Sequence, residues 1–243
     1  GTAFSTPTGV HYGVGGQSGD VAFLFPGQGS QYVGMGADLA MNFAEAMTAW
    51  DLAADQAWDE KTLHEVVFPI TSFEDGAASV NQALLTATHW AQPAIGTMSL
   101  SLLRVLDLIG LDAQHVGGHS FGEITALHAG GVLTDVDMVR VAQRRGVLMA
   151  EAAQTPGSMT AVTGSIESVR AILEQSDADV VIANHNSHRQ VVLSGPTEAI
   201  ERIEADLTAQ GVAAKRLPVA TAFHSSVVSG ASSAFGDFLT DVA

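Results

Sequence analysis

Gly117-Gly118-His119-Ser120-Phe121-Gly122-Glu123 is the stretch on which the reading of this chain turns. Val116 leads into it, two glycines precede the serine, a third follows Phe121, and a helix-favouring run over 123–129 comes next. The pattern is G-x-S-x-G, the strand, sharp turn and helix of a nucleophile elbow. Such a turn holds its serine in a strained backbone conformation and lets neighbouring chain pass close by, which calls for residues without Cβ at its flanks. The Ser120 hydroxyl is then lifted clear of the backbone. The Phe121 N–H stands at a helix N-terminus, where an oxyanion can be held. Glycine-rich turns carrying a serine also occur without any chemistry. The surroundings favour the elbow, because a strongly apolar helix is read over 93–111 and another helix follows, the alternation of an α/β sheet.

The 243 residues are 47% hydrophobic and 15% charged, which suffices for a large core in one domain or two unequal ones. There is no cysteine, so disulfides and thiol chemistry are excluded, and the composition fits a reducing compartment. No apolar run reaches the length of a membrane span, and residues 1–20 lack the charged start and apolar centre of an export signal. The chain is expected to be soluble and cytoplasmic. A formal net charge of −16 repels nucleic acid and anionic membranes, so neither is an expected partner.

Residues 1–20 are rich in Gly, Ser and Thr without periodicity and read as a linker or an appended remnant. Val21-Ala22-Phe23-Leu24-Phe25 reads as a strand buried on both faces. Pro26-Gly27-Gln28-Gly29-Ser30-Gln31 turns the chain at the carboxyl end of that strand, where open α/β sheets place ligand-binding groups. A phosphate cradle is the rival reading of these glycines, but no Gly-Lys-Ser/Thr follows. One helical pattern covers 35–57, a short helix and a loop cover 58–75, and two helical stretches over 77–111 are expected to break at Gln92-Pro93. Gly130-Gly131 ends the elbow helix, and Thr134-Asp135 caps the next. On that helix Met138, Val141, Ala142, Leu148, Met149 and Ala152 share one face, while Arg140, Arg144 and Glu151 lie opposite. Arg145 falls in the middle of the apolar face. A guanidinium there is expensive unless paired, with either a structural carboxylate or a carboxylate of the substrate.

From Gly157 the pattern changes to β-α-β-β-α-β: strands over 159–163, 180–184, 190–194 and 212–219, helices over 166–175 and 196–210, with Gly211 as a cap. That order is the split βαβ of a ferredoxin-like subdomain. It is read as an insertion over 156–217 into a large α/β-hydrolase-like subdomain, 21–155 and 218–243, with a mostly parallel sheet. Asn184-His185-Asn186-Ser187-His188 is placed in the connection between the middle strands, and its two histidines read as loop residues rather than metal ligands. His224 follows the subdomain and comes after Ser120, the chain order of a nucleophile and its base on this kind of sheet.

From about Val21 onward the chain resembles the malonyl-type acyltransferases that load acyl carrier proteins in fatty-acid and polyketide synthases. The resemblance rests on Phe-Pro-Gly-Gln-Gly-Ser-Gln at 25–31, Gln92-Pro93, the Gly-His-Ser-Phe-Gly-Glu elbow, Arg145-Gly146 with Met149, Asn-His-Asn-Ser at 184–187 and Ala-Phe-His at 222–224. The Phe121 form of the elbow and the Asn-His-Asn-Ser run look most like iterative synthases of the enediyne polyketide or polyunsaturated fatty-acid kind. The resemblance implies that Ser120 is the nucleophile, His224 its base, and the amides of Gln28 and Phe121 the oxyanion hole. It also implies that Arg145 grips the malonyl carboxylate, with Phe223, Met149, Gln92 and Asn186 around the acyl group. Ser120, His224 and Arg145 are expected to share one cavity. Phe223 would crowd a C2 methyl, so malonyl is favoured over methylmalonyl, although Thr221 stands where the malonyl pattern has histidine. The substrate implied is malonyl-CoA, the acceptor the phosphopantetheine thiol of an acyl carrier protein, and the neighbour a ketosynthase domain, with no cofactor bound by this domain. Carriers of this kind are commonly acidic, so Arg144, Arg189, Lys215 and Arg216 are the candidates for meeting one. The family's histidine is oriented by a carbonyl from a segment expected beyond Ala243. Rival readings are an α/β-hydrolase such as a thioesterase, for which a buried cation at the acyl pocket has no use, and a non-catalytic module that binds a carrier.

Overall fold

Two sheets and a helical layer hold the elbow in place. A computed structural model describes every residue except 17, 18, 57, 59, 60, 154, 218, 220 and 243. The elements in chain order are β1 (Phe4–Ser5), β2 (His11–Tyr12), β3 (Ala22–Phe25), α1 (Ala37–Asn42), α2 (Ala44–Ala54), α3 (Leu63–Val67), α4 (Ala77–Thr86) and α5 (Thr88–Leu108). Then come β4 (His115–Gly118), α6 (Gly122–Ala129), α7 (Asp135–Ala152), β5 (Gly157–Thr163), α8 (Ile166–Glu174), β6 (Val181–Ser187), β7 (Gln190–Pro196), α9 (Thr197–Ala209), β8 (Ala214–Arg216) and α10 (Ala231–Leu239). The chain is α/β, and no described helix is long and apolar enough to cross a membrane.

β3 and β4 pair in parallel, from Ala22 against His115 to Phe25 against Gly118, so both point their carboxyl ends at the same cleft. Among the described residues this sheet has two strands, fewer than the larger parallel sheet the sequence suggests. The apolar run in β3 is correspondingly not buried on both faces: Leu24 is 81% exposed. Around this pair, α1 to α5 and α7 bury Trp50, Leu63, Val66, Leu85, Leu100 and Met138 in one core. Burial of each such side chain contributes about 1.5–3 kcal/mol.

The four-stranded antiparallel sheet has the order β6-β7-β5-β8, built from the β-α-β-β-α-β sequence expected over 157–217. Alternation along β7 divides its residues between the two faces. Val191 and Leu193 enter a core with Val169, Ile172, Ile200 and Ile203 of α8 and α9. Val192 enters another with Leu148 and Met149 of α7, Met159, Phe223 and Val228.

Several boundaries differ from expectation. The 35–57 pattern is two helices, because Phe43 is extended (φ −128°, ψ 118°) between α1 and α2; Ala57 lies outside the described residues. The break expected at Gln92-Pro93 falls instead at Ala87, and Pro93 lies inside α5. A proline there removes one helix hydrogen bond, but twelve buried residues of α5, from Thr88 to Ser101, hold the helix through it. Asn184 to Ser187 belong to β6 rather than a loop; register shifts between Ile182 and Asn184 and between His185 and Ser187 bend that strand end. Residues 4–12 form a small antiparallel hairpin, where the sequence suggested only a linker. Pro218, at the expected subdomain boundary, and Ala243, beyond which the histidine's orienting carbonyl was expected, lie outside the described residues.

Candidate active site

Ser120 has φ +53° and His224 φ +58°, the two non-glycine residues with positive φ among those described. Each such conformation costs on the order of 1–3 kcal/mol and persists only where the surroundings enforce it. The enforcement is visible in the glycines. A Cβ on Gly118 would lie 2.1 Å from the backbone of Gly122, and one on Gly122 would lie 2.1 Å from the Phe25 carbonyl oxygen. A Cβ on Gly27 would lie 2.6 Å from the His119 carbonyl oxygen and 3.4 Å from the Ser120 Cβ. The loop leaving β3 thus crosses directly over the elbow, and this crossing brings Gln28 to the serine. Among the described residues neither the Gln28 N–H nor the Phe121 N–H donates to a protein acceptor, while the flanking His119, Gly122 and Glu123 amides all do. Phe121 itself is buried with Ile95 and Ala142, which fixes the start of α6.

Ser120 Oγ lies 2.8 Å from His224 Nε2. The carbonyl just before His224, that of Phe223, accepts a 2.6 Å hydrogen bond from the buried Ser194 hydroxyl. Ser194 shares a face of β7 with Val192, opposite Val191 and Leu193, and is fully buried there. No periodicity or motif singled it out. His224 keeps some solvent contact, yet burial pushes its imidazole below the ordinary value. The Arg145 guanidinium pushes the same way, Glu123 opposes and His119 assists. A lowered pKa keeps the ring neutral, and thus able to accept a proton, at neutral pH.

Arg145 is half-buried, and Nη1 donates a 2.7 Å hydrogen bond to Gln92 Oε1. Burial weakens its hold on its proton, Glu123 strengthens it, and a guanidinium remains cationic at neutral pH. No ion pair among the described residues involves Arg145. Of the two partners open to it on sequence grounds, no structural carboxylate pairs with it among the described residues, and the Gln92 amide stands there instead. Gln92 is 1% exposed, and its Nε2 reaches Thr88 Oγ1 at 2.8 Å and Met149 Sδ at 3.4 Å. Thr88, which nothing in the sequence marked, donates in turn to Gln28 Oε1 at 3.0 Å.

Two adjoining hollows meet at His224, which brings Ser120 to one side of the ring and Arg145 to the other. One, of ≈ 130 Å³, is lined by Ser120, His119, Gln28, Asn186 and Phe223 with His224. The other, of ≈ 340 Å³, is lined by Arg145, Met149, Leu148, Ser229 and Phe235 with His224. Asn186 sits over the elbow, its Oδ1 3.2 Å from His119 Nε2.

The acyl transferase domain family matches residues 22–243. This chain belongs to that family. The acyl transferase domain is 34% identical over 222 residues to polyketide synthase GfsA of Streptomyces halstedii, covering 86% of this chain and 3% of that protein. It is 34% identical over 223 residues to a malonyl CoA-acyl carrier protein transacylase of Bacillus subtilis, covering 89% of this chain and 52% of that protein. The solved malonyl CoA-acyl carrier protein transacylase of Clostridium perfringens superposes with a TM-score of 0.82 at 32% identity, covering 93% of this chain and 69% of that one. The domain therefore spans about half of the Bacillus relative and a small part of the synthase.

Proposed function

We propose that this domain moves a malonyl group from malonyl-CoA, through a Ser120 ester, to the phosphopantetheine thiol of an acyl carrier protein, in polyketide or fatty-acid assembly. The observation that carries the reading is the pairing of a 2.8 Å Ser120–His224 contact with a half-buried Arg145 that makes no ion pair among the described residues and lines a hollow with the same histidine. A planar guanidinium fork suits a carboxylate, which malonyl has and a simple acyl group lacks. The two lobes are read as an α/β-hydrolase-like body, 21–155 and 218–243, and a ferredoxin-like insertion, 156–217. The two cores on either side of β7 support that division.

In the first half-reaction the Ser120 proton passes to His224 Nε2 as Oγ forms a bond to the thioester carbon. The carbonyl oxygen becomes an oxyanion held by the Gln28 and Phe121 amides, donors worth roughly 10²–10³ in rate each. The C–S bond then breaks, and the departing coenzyme A thiolate takes the proton from His224. The second half repeats the sequence with the carrier thiol giving its proton to His224 and the Ser120 ester breaking. The malonyl carboxylate reaches past His224 to Arg145, Met149 packs beside Gln92, Phe223 narrows the cleft at C2, and Asn186 covers the acyl group.

Incubation with malonyl-CoA and a phosphopantetheinylated carrier tests this. Malonyl-carrier should accumulate faster than free malonate. Release of malonate alone would make the domain a thioesterase.

A further inference from the structure

Resting on that acyl-transfer reading, we propose that Thr88 is a positioning residue whose hydroxyl holds the carboxylate-binding guanidinium and an oxyanion donor in register. Thr88 is the first residue of α5, yet its hydroxyl does not cap that helix. It is spent on side chains from two other parts of the site. It accepts from Gln92 Nε2 at 2.8 Å and donates to Gln28 Oε1 at 3.0 Å. The chain of donors runs one way: Arg145 Nη1 to Gln92 Oε1, Gln92 Nε2 to Thr88, Thr88 to Gln28 Oε1, and Gln28 Nε2 to the Thr86 carbonyl at 3.3 Å.

Direction matters because each amide has a donor end and an acceptor end. With its Nε2 committed to Thr88, Gln92 must present Oε1 to Arg145; the flipped amide would set NH₂ against the guanidinium. Arg145 is thereby oriented by a neutral dipole that leaves its charge for a ligand carboxylate. The same hydroxyl fixes the Gln28 side chain, and so the loop carrying the Gln28 N–H over Ser120. Thr88 is 3% exposed, so water does not substitute readily for it. Its own position is set by α7, where a Cβ on Gly146 would lie 2.7 Å from the Thr88 carbonyl oxygen.

The test is the kinetics of Ser120 acylation by malonyl-CoA and by acetyl-CoA in the wild type, Thr88→Val and Thr88→Ser, each checked for folding by circular dichroism. Thr88→Val should acylate with malonyl on the order of tenfold more slowly and with a raised KM. With acetyl-CoA it should slow while KM stays unchanged, since acetyl has no carboxylate to orient. Thr88→Ser, which keeps the hydroxyl, should restore both. Should Thr88→Val fail to fold, Thr88→Ala makes the same comparison without added bulk. Unaltered constants in the hydroxyl-free variant, or a folded Thr88→Ser as impaired as it, would overturn the role of Thr88 alone. A wild-type chain that takes up no malonyl would overturn the acyl-transfer reading itself, and the role with it.

Discussion

At the scale of single residues, the proposed mechanism depends on keeping one base and one cation in different charge states. On the proposed mechanism His224 must be neutral to take the Ser120 proton, and Arg145 must stay charged to hold a carboxylate. Their proximity serves both, because the guanidinium disfavours a second cation on the imidazole. Arg145→Ala removes one of the causes that lower the His224 pKa, so that pKa should rise. The acid limb of the pH profile, followed with acetyl-CoA as donor, should then move to higher pH. Glu123→Gln removes the opposing charge and should move it to lower pH. Limbs that stay in place in both variants would show that these charges do not reach the histidine. Arg145→Ala should also lose malonyl transfer by at least about tenfold while acetyl transfer persists, since a hydrogen-bonded charge pair contributes on the order of 1.5–3 kcal/mol. Equal loss of both donors would make Arg145 a structural residue.

At the scale of elements, close approach does the positioning. α7 passes the first turn of α5 so tightly that a Cβ on Gly146 would lie 2.7 Å from backbone oxygen and 2.8 Å from the His89 Cα. Gly146→Ala should therefore force the helices apart, lower stability by about 1–3 kcal/mol, and draw Arg145 away from Gln92. A thermal melt combined with malonyl acylation kinetics reads both effects, and an unchanged melting temperature would contradict this packing. The elbow was legible in the sequence because its chemistry and its geometry use the same glycines. Arg145 was legible because a charge interrupts an apolar face. Ser194 and Thr88 were not, since small hydroxyl residues on a strand face or at a helix start carry no distinguishing period. Pro93 does not break α5 because tertiary burial of that helix outweighs a local preference. The 184–187 run reads as a loop in sequence because all four residues are polar, whereas in the structure Asn184 and Asn186 line the cleft and the run lacks the apolar alternation of a strand on a core.

At the scale of the whole molecule, β7 couples two cores by giving alternate residues to each, and the 222–224 run meets the same strand where Ser194 donates to Phe223. The order of strands and helices could be read from the sequence, but the extent of the large sheet could not, because apolar runs report burial only where neighbours exist to bury them. Among the basic residues that were candidates for meeting an acidic carrier, Arg216 is already engaged by Glu204, with 2.8 and 2.7 Å contacts to both carboxylate oxygens. Arg189, between β6 and β7, and Lys215 of β8 remain exposed. On a chain of net charge −16 they offer a local exception. Reversing both to glutamate should slow transfer to an acidic carrier and leave Ser120 acylation unchanged; equal transfer rates would remove this docking face. The most direct test of the whole account is the mass of the intact protein after exposure to malonyl-CoA. A single malonyl adduct that maps to Ser120 and vanishes in Ser120→Ala is the predicted result, whereas an undiminished adduct in Ser120→Ala would contradict it.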